Sequence, residues 1–291
     1  MKYQFRDGLH LSRKNQARLT VINDIIEEYA EQGYKLTLRQ LYYQLVSRDI
    51  IPNSKKEYAK LSGLLVKGRM AGVVDWNAIE DRIRRPFLPY WVHGIEDAIE
   101  DTISHYRLNR QEGQEVYIEL WVEKDALSGV LKRITTHYHI NLMVNRGYSS
   151  CTAMYDAYNR LKRYEDMGRK TVILYLGDHD PSGLDMVRDI RERLEEFGVY
   201  PTVKHIGLTQ NQIKTYNPPP NPAKITDPRA RQYIYKFGNT SWEVDALKPQ
   251  VLHALVKDNV EQLIDMNLFN EQLEKEESNK EELRDLYNNR D

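Results

Sequence analysis

The sequence predicts an α/β protein in which a mostly parallel sheet, flanked by helices, follows a helical front domain. Between residues 116 and 208, short apolar segments alternate with amphipathic segments of helical period, which is the pattern of repeated strand–helix–strand units. The first 88 residues have mainly helical patterns, and Pro86 and Pro89 interrupt them. A chain of 291 residues can bury two hydrophobic cores, so we expect two domains.

Charge is divided unevenly along the chain. The net charge is -1, yet the part up to Arg85 has 16 Lys and Arg against 10 Asp and Glu, whereas the remainder has 26 against 33. A basic front is compatible with binding to phosphate groups, and a carboxylate-rich back is compatible with binding cations. Differences of this size also occur in ordinary domains, so charge alone does not assign a function.

Composition limits the compartment in which the protein is expected. Cys151 is the single cysteine, so no intramolecular disulfide can form. The first residues, MKYQFRDGLHLSRKNQ, are charged where a signal peptide has an apolar core, and no apolar stretch is long enough to span a bilayer. We therefore expect a cytoplasmic protein with no membrane partner.

Three helices are predicted in the front domain. Residues 16–32 have apolar side chains at helical spacing, and this pattern stops at Gly33. Thr37 is a favourable N-cap for a second helix, with the sequence LRQLYYQLVSRD. A third helix is predicted at residues 56–72, and its apolar face consists of Tyr58, Leu61, Leu64 and Leu65.

These helices, joined by tight turns, fit a winged-helix (CAP-like) module. The apolar pair Val73 and Val74 and the segment DWNAIEDRIRRP would supply the wing. In such a module the third helix enters the major groove of double-stranded DNA, which makes Lys60, Lys67 and Arg69 candidate DNA contacts. A helical bundle with a solvated basic face fits the same spacing, so both interpretations stay open.

The predicted domain boundaries follow from these patterns. We expect a winged-helix domain at residues 1–88, a connecting helix at 89–115, the α/β domain with its C-terminal extension at 116–265, and a charged helical tail at 266–291. The strip 211–239 contains the run NPPPNPAK and is predicted to be irregular. Neither this strip nor the tail is assigned a catalytic role.

Four strands form the predicted sheet, with the sequences VYIELWV, NLMVNRG, TVILYLG and TVKHIGL. Amphipathic helical segments separate them, so the strands are expected to run parallel. In sheets of this kind, ligands bind beyond the carboxyl ends of the strands. The residues that follow each strand are therefore the candidates for chemistry.

Three carboxylates follow two of these strands. Glu123 comes directly after VYIELWV, and Asp178 and Asp180 come after TVILYLG. If the two strands are neighbours, the three side chains converge, and a cation must offset their mutual repulsion. Oxygen ligands without a nearby cysteine favour a hard ion such as Mg2+, which takes its other ligands from water and phosphate. The sequence therefore predicts a magnesium site.

A structural role is the alternative for this D-x-D pattern. An aspartate after a strand often caps the next helix, and Pro181 suits the first position of such a helix. Asp180 is thus expected to cap the helix as well as to bind metal. His179 points to the opposite side of an extended backbone, so we expect it to pack rather than to ligate.

Three motifs give the chain a specific resemblance: V-E-K-D-A-L at residues 122–127, N-R-G-Y-S-S at 145–150 and G-D-H-D-P-S-G at 177–183. Together they resemble the Toprim domain of the topoisomerase VI A subunit and of its relative, the meiotic double-strand-break transesterase. The resemblance implies that Glu123, Asp178 and Asp180 are the metal ligands, and that Arg146 belongs to a loop near the DNA backbone. Residues 241–247, S-W-E-V-D-A-L, more loosely resemble the E-L-x-A-L stretch that follows the Toprim core in those proteins.

The resemblance extends to the front domain. The family has its nucleophilic tyrosine on a winged-helix domain, in a pattern like R-x-x-Y/F-Y, and this chain has R-Q-L-Y-Y from Arg39 to Tyr43. The resemblance implies that Tyr43 forms a covalent link to a DNA phosphate, with Arg39 as its helper. Gln40 stands where an acidic residue is common, and the chain is compact, so it is most similar to proteins of the topoisomerase mini-A type.

Helical spacing distinguishes Tyr43 from its neighbour Tyr42. An inward stripe at i, i+3, i+4 and i+7 consists of Leu38, Leu41, Tyr42 and Leu45. Tyr43 lies off this stripe, and Arg39 is one helical turn before it. A phenol with a pKa of about 10 needs a nearby cation to become a nucleophile at neutral pH. A pair of tyrosines on its own is more often part of a core, so a packing role stays open.

The resemblance also implies partners. In the family, the tyrosine of one protomer works with the metal site of the other, so a homodimer with one cut per strand is expected. No nucleotide-binding motif is visible, so strand passage coupled to ATP would require a separate ATPase subunit. The leading hypothesis is a tyrosine transesterase like the type IIB topoisomerase A subunit. The alternatives are a hydrolytic Toprim DNA nuclease of plasmid or phage defence, and a non-catalytic DNA-binding protein.

Overall fold

The computed structural model describes residues 2, 4–6, 11–80, 89–145, 147–223 and 226–289. Its helices are α1 (Arg13–Glu31), α2 (Leu38–Ser47), α3 (Lys55–Met70), α4 (Ile95–His105), α5 (Ser128–Tyr138), α6 (Cys151–Asp166), α7 (Pro181–Phe197), α8 (Gln210–Tyr216), α9 (Ala230–Phe237), α10 (Pro249–Glu261) and α11 (Met266–Asn288). Its strands are β1 (Val116–Val122), β2 (Asn141–Val144), β3 (Lys170–Leu176), β4 (Thr202–Gly207), β5 (Pro220–Pro222) and β6 (Thr240–Trp242).

The predicted α/β architecture is confirmed. Strands β1 to β4 form one parallel sheet in the order β2-β1-β3-β4. The central pair β1 and β3 is in register, with Val116 opposite Lys170 and Val122 opposite Leu176. Because the two strands end side by side, the residues that follow them meet at one edge of the sheet.

Helices cover both faces of the sheet, which explains why β1 and β3 are apolar on both sides. On one face, Ile118, Leu120, Val172 and Leu174 pack with buried residues of α5 and α10. On the other face, Tyr117, Trp121, Ile173 and Tyr175 pack with buried residues of α6 and α7. The period of two along each strand separates the two cores.

The front of the chain forms a core from α1, α2 and α3. Thr37 caps α2 as predicted, since its side chain accepts a hydrogen bond from Gln40 N–H and Gln40 bonds back to the Thr37 backbone. Within the described residues, Val73 and Val74 form no strand, and pairing is limited to isolated bridges such as Leu36 with Ile79. The winged-helix assignment is therefore not confirmed; the second half of the expected wing, residues 81–88, lies outside the described residues.

The front core is docked against the sheet. Helix α2 packs on a turn of 3-10 helix at Val244–Ala246, and Ala246 is buried in the front core. Arg133 of α5 donates hydrogen bonds to the carbonyls of Gln32 and Gly33, at 3.2 Å each. These contacts bring α2 to the edge of the sheet where β1 and β3 end.

The strip 211–239 is not irregular as predicted. It contains most of α8, the short strand β5, which pairs antiparallel with β6, and the helix α9. The tail was expected to be helical, and α11 confirms that expectation from Met266 to Asn288. Among the described residues, no helix combines the length and the apolar character that crossing a membrane requires.

Candidate active site

Two of the predicted carboxylates meet at the edge of the sheet. Glu123 follows β1 directly, and Asp178 follows β3 after one glycine. The Glu123 carboxylate accepts a hydrogen bond from the backbone N–H of Asp178, at 3.0 Å. Asp178 is buried and Glu123 is half-buried, so the predicted convergence after neighbouring strands is confirmed for this pair.

Asp180 caps α7, as the sequence predicts. Its Oδ1 accepts hydrogen bonds from Gly183 N–H at 2.7 Å and from the Ser182 hydroxyl at 3.0 Å, and Pro181 takes the first helical position. A Cβ atom on Gly183 would lie 2.2 Å from the backbone oxygen of Asp178. Glycine is needed there because the helix start approaches the end of the Asp178 loop so closely.

His179 packs among aromatic side chains, as expected. Its Nδ1 lies 2.9 Å from the Tyr233 hydroxyl, and its ring makes edge contacts with Phe237 and Trp242. The backbone of His179 also bridges Trp242, with hydrogen bonds of 2.9 Å and 3.1 Å in the two directions. This bridge fixes the segment after β6 beside the loop that follows β3.

That segment supplies two carboxylates that the sequence reasoning missed. Glu243 and Asp245 follow β6, and the N–H of Val244 donates to Asp178 Oδ1 at 2.9 Å. Both lie in the stretch S-W-E-V-D-A-L, whose loose resemblance to E-L-x-A-L does not assign its acidic residues to the site. The signal for them in the sequence is the E-x-D spacing, which is the same as the D-x-D spacing of Asp178 and Asp180, but this spacing alone does not place them beside β3.

Asp178, Glu243 and Asp245 can hold a metal ion. Each offers one carboxylate oxygen, and the three oxygens lie within 4.8 Å of one another. This group differs from the predicted set of Glu123, Asp178 and Asp180, because Asp180 turns toward the start of α7. All three ligands are hard oxygen donors, which suits a hard divalent cation.

Lys124 neutralises part of this cluster. Its ammonium lies 2.7 Å from Asp178, 3.2 Å from Asp245 and in close contact with Glu243. Burial alone would lower the pKa of Lys124, but the carboxylates of Asp245, Asp178 and Glu243 outweigh burial and raise it. Lys124 therefore stays charged at the point where the three carboxylates converge.

Arg39 links α2 to the same carboxylates. Its Nε lies 2.5 Å from Asp245 Oδ2, and its Nη2 lies 2.6 Å from Glu243 Oε2. The same Nη2 donates a hydrogen bond of 3.4 Å to the Tyr43 hydroxyl one turn later. The two residues predicted to act together thus touch, and Arg39 joins Tyr43 to the carboxylates of Glu243 and Asp245.

Tyr42 packs in the core as predicted, but Tyr43 is buried as well. Tyr42 is a core residue whose hydroxyl bonds to Asn53 and Ser54. Tyr43 lies off the apolar stripe, yet it is 5% exposed because the turn at Val244–Ala246 covers that side of α2. Burial raises the pKa of Tyr43; Asp245 and Glu243 raise it further, while Arg39 lowers it.

The carboxylates still lack positive charge. Five carboxylates lie close together at the site, and Lys124 and Arg39 supply two positive charges against their five negative ones. These carboxylates belong to Glu123, Asp178, Asp180, Glu243 and Asp245. Burial, together with Glu123, Glu243 and Asp245, raises the pKa of Asp178 well above its usual range, against the opposing effect of Lys124. A divalent cation would relieve this repulsion, so the donor set fits the predicted metal.

The predicted DNA contacts lie in different environments. Lys67 is exposed, and Lys60 is exposed but pairs with Glu57 at 2.5 Å. Arg69 is turned inward, since it donates to the carbonyls of Trp76 at 3.1 Å and Ile79 at 2.7 Å. Arg146 lies outside the described residues.

A scan against protein-family models, a search of curated proteins and a search of solved structures found no match to this chain. The family resemblance suggested by the three motifs therefore stays a prediction. The function of the site has to be inferred from its own geometry and chemistry.

Proposed function

We propose that this protein cleaves double-stranded DNA by Mg2+-dependent tyrosine transesterification, in the manner of a type IIB topoisomerase A subunit. The observation that carries the proposal is one cluster in which Tyr43 and Arg39 adjoin Asp178, Glu243 and Asp245. A nucleophile, a phosphate-binding guanidinium and a cation-binding carboxylate group are the parts that phosphodiester cleavage requires.

Tyr43 is the proposed nucleophile. Its hydroxyl oxygen would form a bond to a DNA phosphorus while the bond to one deoxyribose oxygen breaks. The phenol gives up its proton, and the departing deoxyribose oxygen takes up a proton and leaves as a free hydroxyl. The phosphotyrosine ester conserves the energy of the broken bond, so the reverse reaction reseals the strand. Two such cuts, one in each strand, imply a homodimer, and strand passage coupled to ATP would require a separate ATPase subunit.

Arg39 has to change partners for this reaction. Its guanidinium now binds Glu243 and Asp245, and Tyr43 is buried beside it. A guanidinium binds a phosphate with the same planar geometry as a carboxylate, so an entering phosphodiester can take over these hydrogen bonds. The phosphate would then lie next to the Tyr43 hydroxyl, which Arg39 already contacts at 3.4 Å.

Asp178, Glu243 and Asp245 are the residues that would hold Mg2+, with Glu123 and Asp180 as neighbouring carboxylates. When bound, a magnesium ion supplies Lewis-acid stabilisation of charge on the phosphate oxygens. The protein's own part is to keep these carboxylates close together in a half-buried site.

Hydrolysis by a Toprim nuclease, as in plasmid or phage defence, is a second candidate that one observation favours. Tyr43 is 5% exposed, and its pKa is raised by burial, so the phenol does not resemble an activated nucleophile. In this alternative, water attacks the phosphorus, Tyr43 contacts the DNA, and the same carboxylates hold the metal.

DNA cleavage with protein detection separates the two reactions. Supercoiled plasmid is incubated with the protein and Mg2+, stopped with detergent, and run before and after protease digestion. The proposal predicts nicked or linear DNA whose ends retain protein until digestion, and loss of this product in Tyr43→Phe and Asp245→Asn. Tyr235→Phe is the matched control, because Tyr235 is 95% exposed on α9 and is not among the residues of the proposed site.

Free ends in Tyr43→Phe, together with no cleavage in Asp245→Asn, would establish hydrolysis in place of transesterification. If the wild type binds DNA but does not cleave it, the protein is a non-catalytic DNA-binding protein.

A further inference from the structure

We infer that the exposed face of α9 is a contact surface for the backbone of duplex DNA, formed by Arg231, Gln232 and Lys236. This inference rests on the proposed function, since DNA is the substrate proposed there, and it adds a surface that the cleavage residues do not include. The helix lies in the strip 211–239, to which the sequence pattern assigns no role. Its position beside the carboxylates and the charge of its exposed face support the inference.

The first support is the attachment of α9 to the loop that follows β3. The Tyr233 hydroxyl is buried in α9 and lies 2.8 Å from the carbonyl oxygen of His179 and 2.9 Å from Nδ1 of the same residue. The ring of Phe237 packs edge-on against the His179 ring, with 4.8 Å between centroids. Because His179 stands between Asp178 and Asp180, the exposed face of α9 has a fixed position beside the site.

The second support is the charge of that exposed face. Arg231, Gln232 and Lys236 are exposed, and at 3.6 residues per turn they occupy an arc of about 140° on α9. Residues 228–242 include three basic side chains and no acidic one, although the chain after Arg85 has 26 basic against 33 acidic residues. Within the described part of the chain, neither Arg231 nor Lys236 pairs with a carboxylate. The face is therefore cationic in an acidic part of the protein.

Other cations on exposed helices of this part have acidic partners. Arg188 pairs with Asp185 and Glu192 on α7, and Lys162 pairs with Asp166 on α6. Such pairs one turn apart stabilise a helix by themselves. The cations of α9 lack this role, and Arg, Lys and Gln side chains are common donors to phosphate oxygens of DNA. A solvated helix face is the alternative, and it predicts no effect on DNA binding.

The third support is the charge of the site itself. Five carboxylates there are offset by two cations, so the site repels a phosphate backbone, and affinity has to come from surfaces beside it. The front core lies toward α5, whose Arg133 contacts the loop before α2, whereas α9 lies toward α7, because Arg229 pairs with Asp185 at 3.3 Å. Since α5 and α7 cover opposite faces of the sheet, a duplex that spans the site can contact both surfaces.

The salt dependence of DNA binding tests this inference. Fluorescence anisotropy of a labelled duplex is measured at several salt concentrations, in chelator so that no Mg2+-dependent cleavage occurs. We expect Arg231→Gln/Lys236→Gln to reduce the slope of log affinity against log salt by about 1.8, because each lost phosphate contact removes about 0.9. Tyr235→Phe on the same helix changes no charge and should keep the wild-type slope. Lys162→Gln/Arg284→Gln, which removes two exposed cations of α6 and α11, should keep it as well.

Each result decides between the surface and its alternatives. An unchanged slope in Arg231→Gln/Lys236→Gln would overturn the inference and leave α9 as a solvated face. An equal fall in Lys162→Gln/Arg284→Gln would also overturn it, because net charge alone would then explain the effect. If the wild type binds no DNA at any salt concentration, the proposed function and the inference both fail. If the slope falls as expected but the wild type cleaves no DNA after Mg2+ is added, only the proposed reaction fails.

A second readout locates α9 on the DNA. In a Cys151→Ser background, Gln232→Cys is labelled with an iron chelate whose hydroxyl radicals cut nearby DNA backbone. The control has the chelate at Glu271→Cys near the start of α11, at the amino end of β1, where Gln114 and Asp265 exchange hydrogen bonds. We expect cuts in the bound duplex from the chelate on α9 and none from the control. Equal cutting from both positions, or none from α9, would contradict the inference.

Discussion

Lys124 is the residue on which the charge of the site depends most. Its ammonium contacts Asp178, Glu243 and Asp245, and these are the carboxylates that can hold a metal ion. Removing a charge partner from a buried cluster leaves uncompensated carboxylates. The protein therefore has a counter-ion of its own at a place where a divalent cation would also bind.

We predict that Lys124→Met lowers the free energy of unfolding by about 3–5 kcal/mol without divalent metal. Millimolar Mg2+ should restore more stability to this variant than to the wild type, because the cation replaces the lost ammonium. Urea unfolding with chelator and with Mg2+ measures both effects. Lys162→Met is the control, since the Lys162 side chain is 43% exposed and pairs with Asp166 on the surface of α6. Equal Mg2+ effects in the variant and the wild type would contradict the prediction.

Gly183 allows the start of α7 to approach the Asp178 loop. We predict that Gly183→Ala destabilises the fold by about 1–3 kcal/mol, because its Cβ would meet backbone 2.2 Å away. Gly63→Ala is the matched control: nothing lies within 4 Å of a Cβ there, and alanine in the helix interior should stabilise α3 by up to about 1 kcal/mol. Thermal unfolding of both variants gives the comparison, and equal effects would contradict the account of Gly183.

The positions of some site residues could be predicted from the sequence, and those of others could not. Glu123 and Asp178 could be placed together, because each follows an apolar strand of a parallel sheet. Glu243 and Asp245 could not, because their position depends on the backbone bridge between His179 and Trp242. The burial of Tyr43 could not be predicted either, because the turn that covers it comes more than 200 residues later in the chain. The contact of Arg39 with Asp245 shows this distant packing.

At the scale of elements, one carboxylate of α11 joins this helix to the segment after α4. Glu276 pairs with Arg110 at 2.8 Å and with Lys280 at 2.9 Å, and it accepts a hydrogen bond from Leu108 N–H at 3.1 Å. Burial opposes ionisation, but Arg110, Lys280 and Leu108 prevail and lower the pKa of Glu276 from 4.5 to about 2. The segment after α4 and the helix α11 are joined by these contacts.

We predict that Glu276→Gln costs about 1.5–3 kcal/mol at neutral pH, because two charge-assisted hydrogen bonds are lost. A lowered pKa stabilises the fold above pH 4.5, and this stabilisation is lost as the pH falls toward 2. The difference between variant and wild type should therefore shrink on acidification. Urea unfolding at about pH 7 and about pH 3 measures it, with Glu277→Gln as an exposed control. A constant difference at both pH values would contradict this role.

The helices and strands whose apolar residues recur with a regular period were predicted correctly, and the short elements without such a period were not. Strands β1 to β4 and helices α1 to α3 follow from apolar periodicity and from N-caps such as Thr37. The strip 211–239 was expected to be irregular, because its prolines and polar residues mask the short elements β5 and α9. Those elements are fixed by tertiary contacts, including the bond of the Tyr233 hydroxyl to the His179 carbonyl at 2.8 Å.

At the scale of the whole molecule, charge separates along the chain. The part up to Arg85 has an excess of basic residues, and the remainder has an excess of acidic ones. If the basic front binds the DNA backbone, affinity must fall with salt, because each phosphate contact releases counter-ions.

We predict that Lys67→Gln weakens binding to duplex DNA of any sequence and reduces the slope of log affinity against log salt by about 0.9. Lys67 is exposed on α3, so the substitution should not alter the fold. Fluorescence anisotropy at several salt concentrations measures the slope, with Lys162→Gln on α6 as the control. An unchanged slope in Lys67→Gln would place the DNA on another surface.

Binding of Mn2+, followed by electron paramagnetic resonance, tests the central claim that Asp178, Glu243 and Asp245 form the cation site. We expect one ion per chain in the wild type, loss of this ion in Asp245→Asn, and retention in Asp180→Asn, whose side chain caps α7. Retention of the ion in Asp245→Asn and its loss in Asp180→Asn would contradict the claim. That result would instead support Glu123, Asp178 and Asp180 as the ligands.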